Sequence, residues 1–178
     1  MRSLALGAIA AAIVAAAPAS SALAFCTNPN ALGVSRVITL DTTHGLEVGR
    51  NEFHHTLALQ PKEVVLTFDD GPDPKYTPQI LSILERYHVP GTFFVIGENG
   101  VSNRGLLERI IASGSEIGNH SYTHPNMADM SDTGARLELN ATQRLIEAYT
   151  GRSTRLFRAP YFGDAEPTTP DEIGRAHV

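Results

Sequence analysis

From Glu63 onward the chain alternates short unbroken apolar runs with longer segments whose apolar residues recur at helical spacing. Glu63 to Phe68 is β-rich and predicts a buried strand, and Pro78 to Tyr87 places Ile80, Leu81, Ile83, Leu84 and Tyr87 on a helix that Pro90-Gly91 stops. Thr92 to Ile96 predicts a second buried strand. Arg104 to Ser113 predicts a second helix with Leu106, Leu107, Ile110 and Ile111 on one face and Gly114 as its stop. Ser115 to Gly118 reads as a third strand. Asp132 or Thr133 to Tyr149 reads as a long helix with Leu137, Leu139, Leu145 and Ile146 toward the core, closed by Gly151, and Thr154 to Arg158 as a fourth strand. Upstream, Val37 to Leu40 predicts a short strand, and the stretch to Pro61 is irregular. Strands alternating with helices give βαβ units and a parallel sheet in an α/β fold. The unbroken apolar character of the strands means that both sheet faces are covered.

That rhythm places the chemistry. In parallel sheets and βα barrels, functional groups gather beyond the C-terminal ends of the strands. Asp69 and Asp70 follow the first strong strand, His120 and His124 the third, Arg158 and Tyr161 the fourth, so all fall on one edge. An Asp-Asp-Gly-Pro sequence on its own is an ordinary turn signal. At the end of a buried strand, however, two carboxylates cost free energy unless a cation or donors satisfy them. His120 and His124 are four apart, but Pro125 disfavours helix at His124 and puts the pair on a loop. An isolated pair of this kind is most simply two surface histidines; beside a carboxylate pair on the same edge it becomes a ligand set. Two His and one carboxylate hold catalytic zinc with a position left for water, whose pKa the metal lowers. One Asp can then ligate while the other accepts the water's proton, with Arg158 favouring its charged form. The same ligands also match the facial triad of non-haem iron oxygenases, against which the second Asp argues. His44, His54, His55 and His88 have no partner spacing and read as surface or structural.

The N-terminus reads separately. Arg2, the apolar stretch from Leu4 to Ala17 and the small-x-small Ala22-Leu23-Ala24 have the layout of a secretory signal peptide spanning residues 1–24. The run is shorter than the ~20 residues of a spanning helix. Export to the periplasm, cell envelope or exterior follows as an expectation, with no membrane partner after cleavage. Phe25 argues against lipidation of Cys26. That single cysteine in an oxidising compartment implies an intermolecular bond, a free thiol or a partner outside this sequence. Residues 25–61 form an N-terminal extension. With 14 Lys and Arg against 19 Asp and Glu interspersed, and no basic stripe or aromatic-basic interleaving, no nucleic-acid partner is expected.

Thr67-Phe68-Asp69-Asp70-Gly71-Pro72, His120-Ser121-Tyr122-Thr123-His124 and Arg158-Ala159-Pro160-Tyr161 stand in the order of the first three motifs of the polysaccharide deacetylases, which the chain resembles from about Lys62 to Gly163. This is the NodB-homology family, carbohydrate esterase family four, which includes chitooligosaccharide deacetylases. The resemblance implies a deformed (β/α) barrel and metal-dependent removal of N-acetyl groups from N-acetylglucosamine polymers or oligomers. It implies Asp69 as general base and Asp70, His120 and His124 as ligands to zinc, with cobalt, nickel or manganese in some members. Arg158 would orient Asp69, Pro160 and Tyr161 would line the groove, and the Tyr161 backbone N–H would help hold the oxyanion.

Two family motifs have no counterpart in these 178 residues: one with Asp and Trp, and a Leu-x-His supplying the general acid. The chain has no Trp, and His177 has unsuitable neighbours. A full barrel takes ~250 residues, so the first half to two-thirds is expected here, as a partial domain over 62–171. Glu172 to Val178 resembles the translation of a sequencing adapter, which makes the tail a suspected artefact. The expectation is a fragment with little or no activity. A carbohydrate-binding relic that keeps the metal without turnover is the alternative.

Overall fold

The computed structural model describes residues 32–34, 36–41, 57 and 59–161. The expectations for the leader, Cys26, the segment after Tyr161 and the tail, His177 included, lie outside the described residues. Three parallel strands, β1 (Thr67–Gly71), β2 (Thr92–Val95) and β3 (Glu116–Asn119), lie in chain order with β2 in the middle. Helix α1 (Thr77–Tyr87) joins β1 to β2, and α2 (Gly97–Ser102) and α3 (Arg104–Ala112) join β2 to β3. A 3-10 turn (Met127–Asp129) and α4 (Asp132–Thr150) follow. The expected α/β architecture with a parallel sheet is therefore present as a sector of a βα fold.

Local chemistry sets the ends of the helices. Asp73 Oδ1 accepts from the Lys75 and Tyr76 N–H groups just before α1, and Pro78 sits in the first turn, where its missing N–H costs nothing. Ser131 Oγ caps α4 by accepting from the Gly134 N–H, and Gly151 (φ 69°) ends it in the left-handed conformation that glycine adopts without strain.

The helices press one apolar stripe each onto one face of the sheet. Leu81 and Leu84 of α1, Leu107 and Ile110 of α3, and Leu145 and Ile146 of α4 form the core with Phe93, Val95 and Ile117. Because side chains alternate along a strand, Phe94 points to the other face. There it is buried and lies near His120 and Arg158. Gly118 is its register partner, and a Cβ there would come within 2.4 Å of the Phe94 ring. Gly118→Ala is therefore expected to displace Phe94 and destabilise the chain by about 1–3 kcal/mol, as overpacking does. The urea midpoint reads this out.

Several boundaries differ from the sequence expectation. β1 starts at Thr67, not Glu63, because its neighbour β2 starts opposite it at Thr92 and is preceded by Pro90, which has no N–H to offer a ladder. Val64, Val65 and Leu66 are consequently exposed rather than buried. Val37 to Leu40 forms no strand, and Val37 is exposed. Ile83 and Leu137 are exposed because each lies off the buried stripe of its helix, which runs through Leu81 and Leu84 on α1 and through Ala135, Thr142, Leu145 and Ile146 on α4. Helix α2 was not foreseen. The fourth strand is reduced to a single bridge, Asn119 to Phe157, made where β3 ends.

Candidate active site

The first two site residues owe their placement to an irregularity. Phe68 pairs with Phe93 and Gly71 with Val95, so β1 spends one residue more than β2 across the same span. The extra residue is absorbed at Asp69-Asp70, with Asp70 at φ 67°. A bulge of this kind re-aims side chains at a sheet edge. Here it turns two consecutive carboxylates toward one cleft that is also lined by His120, His124, Arg158, Ala159 and Tyr161, with a volume of about 350 Å³. The three polar clusters do meet at the C-terminal edge, and His120 and His124 lie on a loop, as expected.

Asp69 faces Arg158. The Nη1 of Arg158 donates to Asp69 Oδ1 at 2.9 Å and Oδ2 at 3.2 Å, and to Thr67 Oγ1 at 3.0 Å. The guanidinium lies 4.3 Å from the centroid of the Phe94 ring, a cation–π contact that fixes it from below. Asp69 is thus held by a positioned cation on the floor of the cleft.

Asp70 faces the imidazoles. Its Oδ1 lies 3.3 Å from His120 Nε2 and 3.1 Å from His124 Nε2, and ligand atoms of the three residues all lie within 4.8 Å of one another. His120 is buried, and its Nδ1 lies 2.7 Å from the Arg158 carbonyl oxygen. Burial lowers the His120 pKa below its ordinary value, against the upward pull of that carbonyl and of the Asp69 and Asp70 carboxylates. The neutral ring has one N–H. With that proton on Nδ1, donated to the carbonyl, Nε2 turns a lone pair toward the Asp70 oxygen. Two acceptors facing each other are satisfied by a cation between them. Donors around a tetrahedral ion with arms of ~2.0–2.2 Å stand ~3.3–3.6 Å apart, close to the spacing of the Asp70 oxygen from each imidazole nitrogen. The residues present therefore fit a divalent metal, with Nδ1 of His120 already against a backbone carbonyl, as the far nitrogen of a metal-binding histidine is.

Tyr161 lines the cleft edge in left-handed backbone (φ 64°), its ring 4.7 Å from that of His124. Pro160 departs from the expectation that it lines the groove: it is fully buried, and Ala159 lines the cleft instead. Sequence reasoning gave no role to several residues that hold the site, Thr67, Asn119 and Phe94 among them. Thr67 lies two positions before Asp69, and strand periodicity could have placed both on one face. Asn119 accepts from the Ser121 N–H and donates to the Leu139 carbonyl, tying the histidine loop to α4. Phe94 sits beneath Arg158 only through the β2–β3 register, which no local signal reveals.

The polysaccharide deacetylase family profile matches residues 57–175. The chain belongs to the polysaccharide deacetylase family. It is similar to the chitooligosaccharide deacetylase of Sinorhizobium fredii, 42% identical over 123 residues that cover 65% of this chain and 55% of that protein. It is also similar to the peptidoglycan-N-acetylglucosamine deacetylase of Bacillus cereus, 40% identical over 99 residues, 56% of this chain and 36% of that one. A solved peptidoglycan N-acetylglucosamine deacetylase aligns with a TM-score of 0.58 at 35% identity over 64% of this chain and 51% of that one. This polysaccharide deacetylase domain thus spans about half the length, or less, of these relatives.

Proposed function

We propose that this polysaccharide deacetylase domain carries the metal and general-base half of an exported N-deacetylase acting on polymers or oligomers of N-acetylglucosamine. One observation carries the reading. At a single sheet edge, Asp70 Oδ1 stands 3.3 and 3.1 Å from two imidazole nitrogens, while the adjacent Asp69 is held by Arg158 at 2.9 Å. The relatives' activities, on peptidoglycan N-acetylglucosamine and on chitooligosaccharides, support the substrate class. The apolar leader and Ala22-Leu23-Ala24 support export.

Asp70, His120 and His124 would hold a divalent cation, zinc in the first instance, with cobalt, nickel or manganese as substitutes. When bound, the cation supplies Lewis acidity toward an amide carbonyl and water. Asp69 takes the proton of the attacking water. Arg158 keeps that carboxylate aimed into the cleft, and the Tyr161 backbone N–H is the proposed donor to the oxyanion. The C–N bond of the acetamido group then breaks, giving acetate and a free amine. The amine must be protonated as it leaves, and the 178 residues contain no Leu-x-His to do it.

A hybrid tests the reading, with residues 57–161 replacing the matching segment of the Bacillus cereus peptidoglycan-N-acetylglucosamine deacetylase. Zinc-dependent acetate release from peptidoglycan or an N-acetylglucosamine oligomer is expected. The 178-residue chain alone should run at least ~100-fold slower, the smallest usual contribution of a general acid. A folded, zinc-loaded hybrid that binds the oligomer and releases no acetate would instead mark a non-catalytic carbohydrate-binding domain.

A further inference from the structure

We propose that Glu138, in the second turn of α4, is the positioning residue that sets the histidine loop for metal binding; this rests on Asp70, His120 and His124 being the metal site. The loop between His120 and His124 is strained: Ser121 at φ 65° and His124 at φ 60° are both left-handed without being glycine. Such conformations persist only where the surroundings over-determine them.

The loop's carbonyls are fixed by α2, since the Gly97 N–H donates to the Ser121 carbonyl and the Glu98 N–H to the Tyr122 carbonyl, both at 3.0 Å. Its two central N–H groups are fixed by a side chain from a different element. Glu138 Oε2 accepts from the Tyr122 N–H at 2.6 Å and the Thr123 N–H at 2.7 Å, and Oε1 accepts from the Thr123 hydroxyl at 2.8 Å. Successive backbone N–H groups beside a left-handed residue form a concave anion site, and α4 supplies the anion. Both ligand histidines flank the three-residue segment so held. The His124 N–H is tied back to Ser121 Oγ at 3.1 Å, so a shift of Ser121 to Thr123 carries His124 with it. Glu138 thus gathers three of the loop's hydrogen bonds onto one side chain, and the placement of its acceptor oxygens sets the loop.

Zinc affinity of the 178-residue chain, measured by competition with a chromophoric chelator, tests this without needing turnover. Glu138→Ala is expected to weaken zinc binding ~10–100-fold, the range for outer-shell partners of a metal. Glu138→Gln keeps an acceptor for both N–H groups and should bind within about threefold of the native chain. Glu138→Asp keeps the charge but shortens the reach, and should fall with the alanine variant; it is the comparison to use if the alanine chain does not fold. The idea is overturned if E138D and E138A bind zinc like the native chain. It is equally overturned if E138Q loses as much affinity as E138A, because charge and not placement is then responsible. A native chain that binds no zinc would instead remove the metal site itself.

Discussion

Asp69→Asn is expected to leave zinc affinity within about threefold of native while cutting acetate release by the hybrid deacetylase ~10²–10⁴-fold, the usual span of a lost general base. The two effects separate because the adjacent carboxylates face different partners. Asp70 is within reach of both imidazole nitrogens, whereas Asp69 is outside that ligand set and is engaged by Arg158. Asparagine is nearly isosteric, and its amide oxygen still accepts from the Arg158 guanidinium, so the floor of the cleft and its Phe94 support stay in place. What disappears is the basicity proposed to take a proton from water. The loss should appear in kcat with KM little changed, because a proton transferred only in the transition state does not contribute to ground-state binding. Loss of zinc from this variant would show that Asp69 and Asp70 share one role.

Much of this division was legible in the sequence. The Glu63 to Phe68 run ended at two carboxylates, the βα spacing sent His120, His124 and Arg158 to the same edge, and Pro125 argued the histidines onto a loop. These inferences rest on periodicity and backbone chemistry, which are local. The bulge was not legible: an extra residue in β1 shows only against β2, and it is what turns Asp69 and Asp70 both into the cleft. Phe94 beneath Arg158 and Glu138 beneath the histidine loop are likewise contacts between elements separated by many residues. Pro160 was misplaced for the same reason. The motif names it, but the turn at Arg158-Ala159-Pro160-Tyr161 buries it and gives Ala159 and Tyr161 the cleft wall. Where periodicity itself misled, at Ile83 and Leu137, apolar residues at the edge of a helical pattern faced water, which is common for single aliphatic side chains.

Loss of a ligand should have the larger effect on the metal. Asp70→Ala, His120→Ala and His124→Ala are each expected to lower zinc affinity by more than the ~10–100-fold that outer-shell changes cost, since each removes one of three protein donors. His120→Ala should be the most damaging to the fold as well. Its ring is buried, and removing it leaves the Arg158 carbonyl without the Nδ1–H at 2.7 Å. Losing this part-buried hydrogen bond costs about 0.5–1.5 kcal/mol. Asp70, with its side chain exposed, should lose metal with little change in the urea midpoint of the metal-free chain. X-ray absorption at the zinc edge on the purified 178-residue chain tests the metal centre most directly. One zinc per chain is expected, in a shell of nitrogen and oxygen donors at ~2.0–2.2 Å, with two imidazoles that become one in His124→Ala. A shell containing sulfur, or one unchanged by His124→Ala, would contradict it.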